Sequence, residues 1–107
     1  TVDGLDGLPR YLLLDEPTAS LDLSHELLLM ETVHRLVHQR WLGAIVVLHD
    51  LNLAARFADR IVLLAGGHVV GEGPPAQVLQ SALLSDVYRV AVQVDRLVES
   101  DRLVVTT

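Results

Sequence analysis

Two polar clusters follow directly on apolar runs in this 107-residue chain: Asp15-Glu16 after Tyr11 to Leu14, and His49-Asp50 after Ala44 to Leu48. Adjacent carboxylates at the mouth of a buried strand are costly to keep ionised unless a cation or hydrogen bonds compensate them. A magnesium ion meets that need, because it keeps most of its waters and takes only one or two carboxylates plus phosphate oxygens. Successive residues of an extended strand point to opposite sides, so Asp15 and Glu16 cannot easily chelate one ion together. Separate tasks follow, one carboxylate for a metal and the other for the proton of a water. Taken alone, an Asp-Glu pair is more often a polar turn at a strand end; its surroundings give it chemical meaning.

Those surroundings are elements that put both clusters on one edge. Tyr11 to Leu14, bounded by Pro9 and Pro17, reads as a strand of a parallel sheet buried on both faces. From Ser24 to Arg40 the residues Leu29, Val33, Leu36 and Val37, with Trp41 beyond them, recur at helical spacing, while Glu31, His34 and His38 share another face. Asp22 and Ser24 both suit the N-cap, and Gly43 is placed to close the helix. Ala44 to Leu48 forms a second buried strand, Leu51 to Ala58 a short helix, and Arg60 to Leu64 a third strand. Gly66-Gly67 turns that strand back into His68 to Val70. Pro74 and Pro75 open a short helix over Ala76 to Gln80, followed by another near Leu83 to Tyr88. Val90 to Val98 and Arg102 to Thr106 form a terminal hairpin about Glu99, Ser100 and Asp101. The order predicts one α/β domain over residues 1–107 with parallel strands and crossover helices. In such sheets ligands bind beyond the carboxyl ends of the strands, where both polar clusters stand.

Composition narrows the function. Half of the residues are apolar, the formal charge is −6, cysteine is absent, and all eight basic residues are arginine. An acidic chain is a poor partner for phosphate backbones, so a nucleic-acid role is disfavoured. Leu42 to Leu48, the longest apolar run, is far short of the ~20 residues that span a bilayer. The absence of cysteine fits a reducing compartment. His34 and His38 are four apart on a helix beside Glu31, yet a solvated polar stripe explains them without a metal. Trp41 reads as a packing residue, His68 as an exposed one, and Arg56 and Arg60 as surface partners for Asp59 or Asp50.

The segment YLLLDEPTASLD, Tyr11 to Asp22, resembles the Walker B segment and D-loop of ABC-type ATPases almost position for position. IVVLHD, Ile45 to Asp50, resembles the H-loop of the same family. DRIVLLAGGHVVGEGPPAQVL, Asp59 to Leu79, is similar to the strands, glycine turn and short helix that close its nucleotide-binding domain. Three motifs in order over Leu8 to Tyr88 make the resemblance specific. Within the family, HDLNLAARFAD is similar to importer subunits for iron-siderophore, haem and cobalamin uptake.

The resemblance implies roles for individual residues. Asp15 would hold Mg2+, Glu16 would polarise the attacking water, and His49 would contact the γ-phosphate of ATP. Ser20 and Asp22, in the D-loop with Ala19 and Leu21, would lie on the nucleotide side and meet a second ABC ATPase subunit. It further implies transmembrane permease partners and a cytoplasmic location on the inner face of the membrane. The G-x-x-x-x-G-K-[ST] string that cradles triphosphate is absent, as are the preceding Q-loop and signature segments; the chain contains no lysine. A partial nucleotide-binding domain, inactive by itself, is the expectation. The competing expectations are a truncated, non-catalytic interaction module, and an ABC ATPase of another transport class. Unpaired strand edges in such a partial sheet would favour a homodimer or a domain-swapped assembly.

Overall fold

The computed structural model describes residues 10–40, 42–97 and 102–107, which divide into two units meeting in sequence between His49 and Asp50. Trp41, Val98 and the predicted turn residues Glu99, Ser100 and Asp101 lie outside the described residues.

The first unit is a β-α-β motif: β1 (Arg10–Asp15), α1 (Leu23–Arg40) and β2 (Leu42–Val47). β1 and β2 pair in parallel, with Leu12 opposite Ala44 and Asp15 opposite Val47. Parallel neighbours cannot be joined by a tight turn, so α1 serves as the crossover and packs on β2, burying Met30 and Val33.

Two expectations need correction here. Burial along β1 and β2 alternates instead of being continuous. Leu12, Leu14, Ala44 and Val46 are half-buried, whereas Tyr11, Leu13 and Ile45 are 76%, 72% and 64% exposed. Side chains alternate across a strand, and among the described residues one face of this pair has an apolar cover and the other does not. Gly43 does not end α1 but lies inside β2 opposite Tyr11. A Cβ there would sit 2.8 Å from the Tyr11 ring, so the glycine accommodates a ring lying across the strand pair.

The second unit holds α2 (Leu51–Phe57), β3 (Ile61–Ala65), β4 (His68–Gly73), α3 (Pro75–Val78), α4 (Ser81–Tyr88), β5 (Gln93–Arg96) and β6 (Leu103–Thr106). β3 and β4 form the predicted hairpin. Gly66 and Gly67, at φ 56° and 78°, adopt the positive values that a two-residue turn matched to strand twist requires. β4 runs three residues beyond the predicted end, and the pairing shifts so that Leu63 faces Gly71 while Leu64 faces Val69. The extra residue, Val70, is a bulge. Pro75 opens α3 as its first helical residue. β5 and β6 pair antiparallel, with Val94 opposite Val105. The core comprises Ile61, Leu63, Val78, Leu79, Leu84, Val92 and Val105, with Leu51, Ala54 and Ala55 of α2 packed against it. The α/β architecture is therefore as read from the sequence, but β3 hydrogen-bonds only to β4 among the described strands.

Candidate functional site

The site forms where β1 ends. Asp15 is the last β1 residue and is exposed. Glu16 leaves strand geometry: its φ is 49°, the left-handed region that a side chain bearing a Cβ enters at a cost. It also precedes Pro17, and a residue before proline normally stays extended. The local hydrogen bonds explain how the conformation is held. The Glu16 N–H donates to the Val47 carbonyl at 2.9 Å, adding one rung to the β1–β2 ladder, and the Glu16 carbonyl accepts from the Ala19 N–H at 3.2 Å. Strain concentrated on one residue that the surrounding backbone over-determines is a recurrent mark of functional sites.

That turn redirects the Glu16 carboxylate. Its Oε1 lies 2.5 Å from Nε2 of His49, which follows β2. A carboxylate can only accept, so Nε2 carries the proton and donates. The side chains are 80% exposed for His49 and 43% for Glu16. A contact so open to water contributes only ~0–1 kcal/mol to stability, so its importance lies in orientation. The expectation that Asp15 and Glu16 are aimed apart by strand alternation does not carry across their junction, because alternation ends at the left-handed Glu16.

Asp22, by contrast, has structural partners. Asp22, not Ser24, caps α1: its Oδ1 accepts from the His25 N–H at 3.0 Å, contacts His25 Nδ1 at 2.6 Å and accepts from Ser24 Oγ at 3.3 Å. The backbone hydrogen bond from His25 and then its side chain hold the Asp22 carboxyl below its ordinary value of 3.8. Ser20 is exposed in the turn between Glu16 and Asp22. Asp50, the neighbour of His49, caps α2 by accepting from the Asn52 and Leu53 N–H groups at 2.9 and 3.2 Å. The His-Asp pair thus has two different partners, the imidazole meeting Glu16 and the carboxylate the helix start.

Several residues outside the site also find partners. Arg60 pairs with Glu72 at 3.4 Å across the β3–β4 hairpin. Arg56 lies over the Phe57 ring at 5.1 Å. His34 and His38 stack at 4.1 Å, and His38 Nδ1 lies 2.8 Å from the His34 carbonyl. Sequence reasoning missed Asn52, a lone amide in the apolar run Leu51 to Ala55; its side chain bonds the backbone of Val105 through both polar atoms.

No family model matches the chain. It is 53% identical over 90 residues to a hemin import ATP-binding protein, HmuV, of Rhodopseudomonas palustris, covering 84% of this chain and 33% of that protein. HmuV of Burkholderia thailandensis is 52% identical over 80 residues (75% and 29%), and that of Bordetella avium 48% identical over 88 residues (82% and 34%). The chain therefore spans about a third of the length of these curated relatives. A solved structure described as an inward-facing conformation of a putative metal-chelate type ABC transporter superposes with a TM-score of 0.78. It covers 92% of this chain and 40% of that one at 22% identity, a likeness of fold. No helix among the described residues is long and apolar enough to cross a membrane. With about half of its residues identical to those of the hemin-import proteins over most of its length, the chain belongs to the ATP-binding-protein family of ABC transporters.

Proposed function

We propose that this chain is the Walker B, D-loop and H-loop part of the ATP-hydrolysing subunit of an ABC importer, working on haem or an iron chelate. The observation that carries this reading is the hydrogen bond between Glu16 and His49, residues 33 apart in sequence, at the carboxyl ends of two parallel strands. The names of the relatives support the solute class. In this reading residues 1–107 are one piece of a nucleotide-binding domain, and the Walker A and signature segments come from sequence beyond it. Its partners are a second ATP-binding subunit and membrane permeases, which seat it peripherally on the cytoplasmic face.

The donor set fits a nucleotide's Mg2+. Asp15 offers a hard carboxylate at the strand end, and no cluster of three or more ligating side chains occurs among the described residues. One carboxylate completed by phosphate oxygens and water suits magnesium, whereas an all-protein cage would not. When bound, the ion supplies neutralisation of charge on the phosphate oxygens.

The chain's own residues position and deprotonate. Glu16 accepts a proton from a water whose oxygen bonds to the γ-phosphorus while the bond to the leaving β-phosphate oxygen breaks. With Oε1 engaged by His49, the carboxylate has a donor on one oxygen, and its second oxygen would take the proton of that water. His49, its Nε2 proton committed to Glu16, stands beside the phosphoryl group as an orienting residue. Ser20 and Asp22 belong to the loop facing the second subunit, and Asp22 holds that loop to α1 through its cap.

The test is Glu16→Gln in the full-length subunit assembled with its permease. The amide keeps the shape and still accepts from His49 but takes no proton. ATP binding should persist while hydrolysis falls by about 10²–10⁴-fold, the usual contribution of a general base. Near-normal turnover in this variant would overturn the assignment of Glu16.

A further inference from the structure

We propose that His34 and His38, one turn apart near the end of α1, form a two-imidazole site for a divalent transition-metal ion of the Cu2+ type. The site lies wholly within the first unit, and it stands or falls separately from the hydrolytic reading of Glu16 and His49.

Placement on the helix supplies the first argument. Residues four apart share a helix face, and two histidines so spaced can bind one ion from that face. Both are exposed and lie in the last two turns of α1, so an ion reaches them from solvent without opening the core. Glu31 lies three residues before His34 on the same stripe, and the carboxyl end of a helix carries partial negative charge. Both favour a cation here.

Spacing alone is equally met by a solvated polar face; the arrangement of the rings goes further. They stack with centroids 4.1 Å apart and planes 26° from parallel. One ion bound at about 2.0–2.1 Å to each of two nitrogens holds those nitrogens roughly 2.9–3.4 Å apart, in right-angled or tetrahedral geometry. Rings this close reach that separation at one edge by tilting. His38 Nδ1 lies 2.8 Å from the His34 carbonyl oxygen. A carbonyl only accepts, so Nδ1 carries the proton and, in the neutral ring, Nε2 carries the lone pair that a metal takes. Ligating histidines characteristically donate their other N–H to such an acceptor, which fixes the tautomer and raises the basicity of the ligand. The number of ligands then selects the ion. No group of three or more ligating side chains occurs among the described residues, so water completes the coordination. Two imidazoles and water do not make a closed structural Zn2+ site but suit tetragonal Cu2+, which also binds such donors most tightly among the first-row divalent ions.

Calorimetric titration of the 107-residue chain with CuCl2, in a weakly coordinating buffer, tests this. The tightest equivalent of Cu2+ should bind through this pair, with Ni2+ and Zn2+ weaker there and Mg2+ without effect. His34→Ala and His38→Ala should each weaken that binding by about 10²-fold, the low end of what joining two binding groups gains, while His68→Ala changes it less than about twofold. Electron paramagnetic resonance of the bound Cu2+ should show two imidazole nitrogens in the unaltered chain and one in either variant. Both substitutions are on the exposed face of a helix, where alanine is well accommodated. Should either alanine variant not fold, His34→Gln and His38→Gln, which keep a polar side chain there, are judged by the same criteria. An affinity unchanged within about twofold in either variant, or a spectrum with a single nitrogen in the unaltered chain, would overturn the site.

Discussion

Replacing Glu16 by glycine and, separately, by alanine isolates the backbone conformation that builds the site. Both variants remove the carboxylate and the bond to His49, so their difference in stability reads the backbone alone. In a strand interior or a helix, glycine is the worse residue by roughly 0.5–1 kcal/mol, because it loses more freedom on folding. At φ 49° the order reverses. Alanine bears the left-handed penalty of roughly 1–2 kcal/mol, which glycine escapes, and subtracting glycine's entropic disadvantage of roughly 0.5–1 leaves about 0–1.5 kcal/mol, centred on about 0.75, in favour of glycine. For a chain near 100 residues, 1 kcal/mol moves Tm by about 4–8 °C. At the central value Glu16→Gly should thus melt about 3–6 °C above Glu16→Ala in a thermal unfolding experiment followed by circular dichroism. A more stable alanine variant would mean that Glu16 is not left-handed, and the account of how its carboxylate reaches His49 would fall.

Further outcomes follow from other parts of the molecule. Leu84, fully buried, should cost about 2–5 kcal/mol when changed to alanine, enough to unfold most of the second unit in a urea titration; a shift under about 0.5 kcal/mol would contradict the core described. The Asp22 carboxyl has its folded pKa depressed, so its capping contribution is present above the unfolded value near 3.8 and is lost as pH falls through the folded one. The helical signal of α1 should therefore weaken on acidification below about pH 4 and do so less in Asp22→Asn, whose cap does not titrate. Calorimetry on the 107-residue chain should find no micromolar ATP affinity, because it has no phosphate-cradling lysine. The bare apolar face of Tyr11, Leu13 and Ile45 should drive self-association visible in light scattering, reduced by Leu13→Lys; a monodisperse monomer would contradict it.

Much of this was readable in the residues because it depends on local chemistry. Pro17, Gly66-Gly67 and Pro75 carry backbone restrictions that act within a few residues, so the turns and helix starts fall where sequence places them. The meeting of Glu16 with His49 was legible for a related reason: acidic residues and a histidine at the ends of apolar runs are expensive there, and the three motifs around them are specific in order and spacing. Where the sequence misled, the missing information was non-local. Tyr11 to Leu14 and Ala44 to Leu48 look buried on both faces, yet an apolar run states only that a strand can be covered, not whether anything in the chain covers it. Gly43 looked like a helix end because its partner across the ladder, Tyr11, is 32 positions away.

Residue types and their order determined that acids and an imidazole would close apolar strands in an α/β chain, because those preferences are written in each side chain and its near neighbours. Tertiary structure alone decided that Glu16 turns left-handed to meet His49, that Asp22 and Asp50 spend their carboxylates on helix caps, and that Asn52 reaches Val105. Each of these is a hydrogen bond or a backbone angle selected by groups that only the folded chain brings within 3 Å or so of one another, and no local propensity encodes such a choice.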